Sequence, residues 1–173
     1  MPAEAVAIAP ATPADLDAVT TIFAHYVTDT VTTFEEVPPT VDHWRQRLDD
    51  LSGRGLPFLV AKIGGEAVGY AYASPWRPKP AYRHTVEDTI YLAPGWTGRG
   101  LGSALLERLL GDCARAGVRQ VIAVIADSGS DVSAALHHRH GFVHAGRLTA
   151  VGHKHGRWID TVLMQHTLPA TDA

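Results

Sequence analysis

The segment best able to do chemistry is Tyr91-Leu92-Ala93-Pro94-Gly95-Trp96-Thr97-Gly98-Arg99-Gly100-Leu101-Gly102-Ser103-Ala104-Leu105-Leu106. A strand-forming run ends at a proline, a glycine-rich turn follows, and a helix-forming run begins. Glycines let successive backbone N–H groups converge without interference from Cβ atoms. Joined to a helix N-terminus, such a turn makes a donor-rich, positive cup for a phosphate or pyrophosphate. Arg99 adds a charge beside it. The segment is not a P-loop, since no Gly-Lys followed by Ser or Thr occurs. It also departs from a dinucleotide fingerprint. Counted from Gly98 and Gly100, the third glycine position holds Ser103, and the next strand-forming run, Val121-Ile122-Ala123-Val124-Ile125, carries no acid. The plain alternative is a tight strand-to-helix turn.

Other reactive side chains point to less. Ten histidines raise the question of a metal. His137 and His140 stand three apart, and His153 and His155 alternate, but no Cys pair or His-Glu-x-x-His accompanies them. No metal site is expected. The single cysteine, Cys113, falls inside a helical run, where a small core hydrophobe is the better reading than a nucleophile.

The elements that must position the loop follow from periodicity. Val6–Ala9 reads as a short strand. Thr12, Pro13 and Asp15 open a helix as N-cap, N1 and N3, with Leu16, Val19, Ile22, Phe23 and Tyr26 on its apolar face. A second helix starts after Thr40, carries Val41, Trp44, Leu48 and Leu51 on one side, and ends at Gly53 and Gly55. Residues 28–39 between them read as a polar, acidic loop. Pro57–Ile63 and Ala67–Ala73 flank Gly64-Gly65-Glu66 as a hairpin. Residues 75–82 hold three prolines and must be irregular.

Arg83–Ala93 reads as a strand with Thr85, Glu87, Thr89 and Tyr91 on one face and Val86, Asp88, Ile90 and Leu92 on the other. Leu101–Ala116 is the clearest helix, closed by Gly117. Val118–Ala126 is nearly all apolar, as expected of a strand buried on both faces. Asp131–His140 reads as a helix, and Phe142–Thr149 and Arg157–Leu168 as the last strands. The order βααβββαβαββ is that of a mixed α/β sheet.

Composition bounds the rest. A chain of 173 residues fits a single domain over 1–173, with a core from about 6 to 168. With 46% hydrophobic residues and 19% charged, disorder is excluded. One cysteine calls for no oxidising compartment. Met1–Pro10 has no basic run to open a secretory signal, and no apolar stretch approaches the roughly 18 residues of a membrane span. A cytoplasmic location is expected. The net charge of −3 argues against nucleic acid. That charge is unevenly spread. Residues 1–66 carry 4 basic and 10 acidic side chains, and residues 67–173 carry 11 and 8, so an anionic ligand belongs with the second part.

Gly98-Arg99-Gly100-Leu101-Gly102 with Ala104-Leu105-Leu106 resembles the acetyl-CoA pyrophosphate loop of the GNAT superfamily of N-acetyltransferases. Gly100 and Gly102 match the pattern, while Thr97 stands where an Arg or Gln is usual. Further segments are similar to the phosphinothricin and methionine sulfoximine N-acetyltransferase group within it. These are Thr33-Phe34-Glu35, the run from Arg77 to Glu87, and the run from Val151 to Asp160.

The resemblance implies a GNAT fold, a mixed and mostly antiparallel central sheet with helices on both faces. It implies acetyl-CoA as co-substrate, a small-molecule amine acceptor with an anionic group, a homodimer, and direct attack of the amine on the thioester. Glu87 is then the base, on the strand entering the loop, where desolvation raises a carboxyl pKa. His137 stands where the wider family has a tyrosine that protonates the departing thiolate, and Ser130 where it has an asparagine. For the coenzyme the resemblance implicates backbone groups of Ile90, Tyr91 and Leu92 on a splayed strand, the loop Thr97, Gly98, Arg99, Gly100, Leu101, Gly102 and Ser103, and Ser130 with Ser133. For the acceptor it implicates Phe34 and Glu35 as one wall and Arg77, Lys79, Tyr82, Arg83 and Lys154 as the basic part, arginine forks being matched to oxyanions. Two alternatives stand beside this: the same fold acting on another amine, and a non-catalytic acyl-CoA-binding module.

Overall fold

In the computed structural model, which describes residues 4–170, the expected alternation resolves into one seven-stranded sheet. The outer ends of the expected 1–173 domain, residues 1–3 and 171–173, lie outside the described residues. The elements run β1 (Ala7–Pro10), α1 (Leu16–Asp29), α2 (Val41–Gly53), β2 (Phe58–Ile63), β3 (Glu66–Pro75), β4 (Thr85–Leu92), α3 (Leu101–Arg115), β5 (Gln120–Ala126), α4 (Val132–Arg139), β6 (Val143–Lys154) and β7 (Arg157–Thr167). Short 3-10 turns at Pro13–Asp15 and Pro80–Tyr82 precede α1 and β4. The sheet order is β1-β2-β3-β4-β5-β7-β6, with β4 and β5 parallel and every other neighbouring pair antiparallel.

Two apolar clusters sandwich the sheet. On one face Leu105, Leu106, Leu109 and Cys113 of α3 pack against Leu59, Ala71, Val86, Val121 and Met164. On the other, Leu16, Val19, Ile22 and Phe23 of α1 and Trp44 and Leu51 of α2 pack against Phe58, Val60, Tyr70 and Tyr72. Helices therefore cover both faces. Cys113 is fully buried, and desolvation pushes its thiol up to about 12, which removes it from nucleophilic chemistry.

Local signals account for the element ends. Thr40 caps α2 by accepting the His43 N–H at 3.2 Å. Asp15 accepts the Thr12 N–H at 2.8 Å and pairs with Lys62 at 2.8 Å. Burial alone would raise its carboxyl pKa, but these partners bring it below the usual range. Gly64 and Gly65 sit at φ of 59° and 82°, as a two-residue hairpin turn requires.

Two expectations shift. β5 is not buried on both faces: Val121 and Ala123 are buried, while Val124 on the other face is 39% exposed. α1 and α2 cover the β1–β3 side and leave that face of β5 open. β6 runs five residues beyond Thr149, to Lys154. Irregular pairing between Leu148 and Gly152, with Ala150 at φ 50°, breaks the alternation by which a strand is read.

Candidate active site

The site begins with a defect in the sheet. β4 pairs with β3 along its length, from Val86 opposite Pro75 to Leu92 opposite Gly69. With β5 it pairs only at Thr85, Val86 and Glu87, opposite Gln120, Val121 and Ile122. Beyond Glu87 the strands part, β4 held by β3 and β5 by β7. Backbone groups of Asp88–Leu92 on the inner edge therefore face a gap rather than a neighbour. A cavity of about 530 Å³ opens there, lined by β4 from Glu87 to Leu92, β5 from Ala123 to Ala126, and Trp44 and Arg47 of α2. Thr33, Phe34 and Glu35, Thr97 and Gly102, Ser130, Ser133 and His137, and Thr161 are among the other residues that line it.

Glu87 lies at the fork itself. Its strand partners are Ser74 and Ile122, and alternation aims it to the side of Thr89 and Tyr91, into the cavity. Burial raises its carboxyl pKa. The neighbouring Asp88 charge adds to the rise and Arg47 opposes it. A carboxylate held this way is a stronger base than one in water and is suited to receive a proton.

The next residue, Asp88, points to the opposite face among Val86, Ile90 and Leu92, where its side chain is 2% exposed. It meets His137 of α4, with Nε2 at 2.7 Å from Asp88 Oδ2. The other imidazole nitrogen, Nδ1, is 2.7 Å from the Ser133 carbonyl oxygen. With a carboxylate and a carbonyl oxygen as partners, the site favours a ring that donates from both nitrogens, the imidazolium. Burial of His137 works against that charge. The hydrogen bond and charge of Asp88, with the Ser133 carbonyl, outweigh it and raise the pKa above the usual imidazole value. Asp88 was missed as a site residue in the sequence, though an acid on an otherwise apolar strand face is itself a sign of a buried partner.

The glycine turn takes a conformation that side chains resist. Gly95, Gly98 and Gly100 have φ of 86°, 74° and 82°, and Gly100 is the N-cap of α3. The first α3 backbone bond runs from the Ala104 N–H to the Gly100 carbonyl at 3.1 Å. The amides ahead of it, at Leu101, Gly102 and Ser103, are the free donors of a helix start. This fits a pyrophosphate: open donors with positive φ at the mouth of a gap in the sheet, Thr97 and Gly102 forming the cavity edge.

The side chains differ in placement. Leu101 is buried at 2% exposure, so only its backbone can meet a ligand. Arg99 stacks over Trp96 at 4.6 Å. Ser103 Oγ lies 2.7 Å from His140 Nε2. Gly98, Arg99, Gly100, Leu101 and Ser103 do not line the cavity, whereas Ile90, Tyr91, Leu92, Thr97, Gly102, Ser130 and Ser133 do. Ser130 Oγ also accepts the Val132 N–H at 3.3 Å, ahead of α4.

The residues expected to hold an acceptor divide into three groups. Phe34 and Glu35 line the cavity. Arg77, Lys79, Tyr82 and Arg83 line a second concavity, of about 710 Å³, at the opening of β4 with Trp76, Arg54 and Val118. Lys154 lies in neither. It is buried, and its Nζ donates to the Thr33 carbonyl at 2.8 Å, tying β6 to the loop that carries Phe34. Burial lowers its pKa, against the charges of Glu36 and Glu35. Gly152 presses on the same loop, since any Cβ there would strike the Phe34 ring. Among the described residues no cluster of three or more His, Cys, Asp or Glu is arranged to hold a metal, and no helix is long and apolar enough to cross a membrane.

Known proteins resemble this chain over most of its length. The sequence model of the acetyltransferase (GNAT) family matches residues 20–142. A phosphinothricin N-acetyltransferase from Alcaligenes faecalis is 49% identical over 158 residues, 91% of this chain and 80% of that protein. An L-methionine sulfoximine/L-methionine sulfone acetyltransferase from Pseudomonas aeruginosa is 36% identical over 159 residues, covering 91% of this chain and 92% of its own. The crystal structure of a GNAT superfamily phosphinothricin acetyltransferase from Sinorhizobium meliloti in complex with AcCoA superposes with a TM-score of 0.90 at 44% identity. It covers 94% of this chain and 88% of that one.

Proposed function

This chain belongs to the acetyltransferase (GNAT) family, and from that premise we propose that it moves the acetyl group of acetyl-CoA to the α-amine of a small amino-acid analogue, of the phosphinothricin, methionine sulfoximine or methionine sulfone type. The observation that carries this is the position of Glu87: a partly buried carboxylate at the point where β4 and β5 part, facing the cavity.

Amide formation from a thioester requires a free amine, donors for the developing oxyanion, and a proton for the thiolate. Glu87 takes the proton of the acceptor ammonium. The amine lone pair attacks the acetyl carbon. Backbone groups of the unpaired β4 edge at Ile90–Leu92 steady the oxyanion, with the Leu92 carbonyl held in place by the Tyr26 hydroxyl. The C–S bond breaks, and His137 gives the thiolate a proton from whichever ring nitrogen leaves its partner, Asp88 or the Ser133 carbonyl, while the second proton shed by the nitrogen as the amide forms passes to solvent. Products are the N-acetyl compound and free coenzyme A, and no covalent enzyme intermediate is needed. Glycines 98–102 and the start of α3 hold the pyrophosphate through backbone N–H groups, so Thr97 in place of Arg or Gln forfeits one side-chain contact and leaves the cup intact.

Phe34 and Glu35 form the acceptor wall, with Lys154 fixing their loop. Arg77, Lys79, Tyr82 and Arg83 reach an acceptor only if the chain is a homodimer in which the basic loop of one protomer closes over the cavity of its partner. A buried, reduced Cys113 and the absence of any membrane-length helix among the described residues suit a cytoplasmic enzyme. Light scattering at micromolar concentration tests the assembly. The reaction is tested by thiol release from acetyl-CoA across amino acids and their oxidised or phosphinate analogues. Binding of acetyl-CoA without turnover of any acceptor would favour a non-catalytic module.

A further inference from the structure

We propose that Arg47 of α2 is the site for the acceptor's α-carboxylate, an assignment that rests on the acetyl-transfer reading above and specifies the acceptor further. Five buried side-chain polar atoms among the described residues have no hydrogen-bond partner: Trp44 Nε1, Arg47 Nε, Tyr70 OH, Asp88 Oδ1 and Thr161 Oγ1. Four of the five residues line the Glu87 cavity, and Tyr70 does not. Buried polar atoms in folded proteins are almost always paired, so a group of orphans around one cavity marks a polar ligand.

The two orphans on α2 are both donors, an indole N–H and a guanidinium N–H, and stand one helical turn apart. Donors call for an acceptor. The guanidinium lies over the Tyr72 ring at 5.0 Å and the Trp44 ring at 5.9 Å. A stacked guanidinium keeps its edge free for a planar oxyanion, which it meets with parallel hydrogen bonds.

Among the described residues Arg47 is also the only Lys or Arg of the cavity wall, while the basic loop lies at the second concavity. The acidic residues that line the cavity are Glu35, Glu87 and, from the core side, Asp88. None forms an ion pair with Arg47 within 4.0 Å, though Arg47 is close enough to lower the Glu87 pKa. The acceptor must put its amine at Glu87, and in an α-amino acid the carboxylate is attached to the carbon bearing that amine. A cation close to the base, itself unpaired, is therefore matched to the α-carboxylate rather than to the distant head group.

The test compares methionine sulfone with its α-carboxamide as acceptors. Both keep the amine and the head group, and only the first keeps the charge. Wild type is expected to prefer the acid. Arg47→Met should lower kcat/KM for the acid about ten- to hundred-fold, the worth of a charge-assisted hydrogen bond, and leave the carboxamide within about two-fold. The KM for acetyl-CoA should be unchanged. The acid limb of the pH profile should move to higher pH, because the charge that lowers the Glu87 pKa is gone. Arg47→Lys, which keeps the charge without the fork, should fall between, and it serves if the methionine variant does not fold. Equal losses on both acceptors, or a wild type indifferent to the carboxylate, would overturn the Arg47 assignment. No turnover of either acceptor by wild type would bring down the reading of the reaction and this assignment with it.

Discussion

His137 Nε2 lies 2.7 Å from Asp88 Oδ2, in a pair whose side chains are 6% and 2% exposed. Consecutive residues of one strand thus face opposite ways, Glu87 toward the cavity and Asp88 toward His137 on the core face. Removing one member of a buried ion pair leaves the other uncompensated. Asp88→Asn is expected to destabilise the fold by about 3 kcal/mol or more, read by urea denaturation.

The pH dependence of that pair has a definite sign. His137 has a pKa above the unfolded imidazole value, so its contribution is complete below about 6.5 and is lost as pH rises through the native value. Denaturation midpoints for wild type should therefore fall relative to His137→Phe as pH is raised through neutrality. A constant difference between the two would count against an imidazolium.

Glu87 carries the opposite consequence for stability. Its raised pKa means the native state holds the proton more tightly than the unfolded chain, so ionisation above that pKa costs stability. Glu87→Gln should lower kcat by about 10²- to 10⁴-fold, as for loss of a general base. The same variant should unfold at a slightly higher urea concentration at pH 8. A loss of both activity and stability would show that the carboxylate is structural.

How far the site was legible depends on what each residue's pattern encodes. The β4 alternation placed Glu87 and Tyr91 on one face and Val86, Ile90 and Leu92 on the other, because one face of a half-buried strand must be apolar. The glycine turn was legible because positive φ at Gly98 and Gly100 has a compositional cost that few other features share. The parting of β4 and β5 was not, since strand residues carry the same side chains whether or not a neighbour pairs with them. Arg47 shares the inward side of α2 with Trp44, but a long cationic side chain beside an apolar stripe reads as one that carries its charge out to solvent. Only the tertiary stacking on Tyr72 turns it inward. The basic residues 77–83 are close to Glu87 in sequence, yet they line a separate concavity, as sequence distance says nothing about the side of the sheet from which a loop approaches.

Gly100 offers a test of the coenzyme cup. At φ 82° an alanine pays the left-handed penalty of about 1–2 kcal/mol, and the loop amides lose their common direction. Gly100→Ala should raise the KM for acetyl-CoA about ten-fold or more with little change in acceptor KM, measured by initial rates at saturating acceptor.

Gly152 tests the acceptor wall from the opposite direction. A Cβ there would strike the Phe34 ring, which has cavity on its other side. Gly152→Ala should displace Phe34 and raise the acceptor KM several-fold. Acetyl-CoA binding, followed by calorimetry, should be untouched.

Acetyl transfer in the cavity at the β4–β5 fork, with Glu87 as base, is open to direct test. Its most direct measurement is the rate of coenzyme A release from acetyl-CoA with methionine sulfone, methionine sulfoximine and phosphinothricin, for wild type and Glu87→Gln. Acceptor-dependent release by wild type is expected, with a mass gain of one acetyl group on the acceptor and a loss of at least about 10²-fold in the variant with acetyl-CoA binding intact. Release that ignores the acceptor, or a variant as fast as wild type, would contradict it.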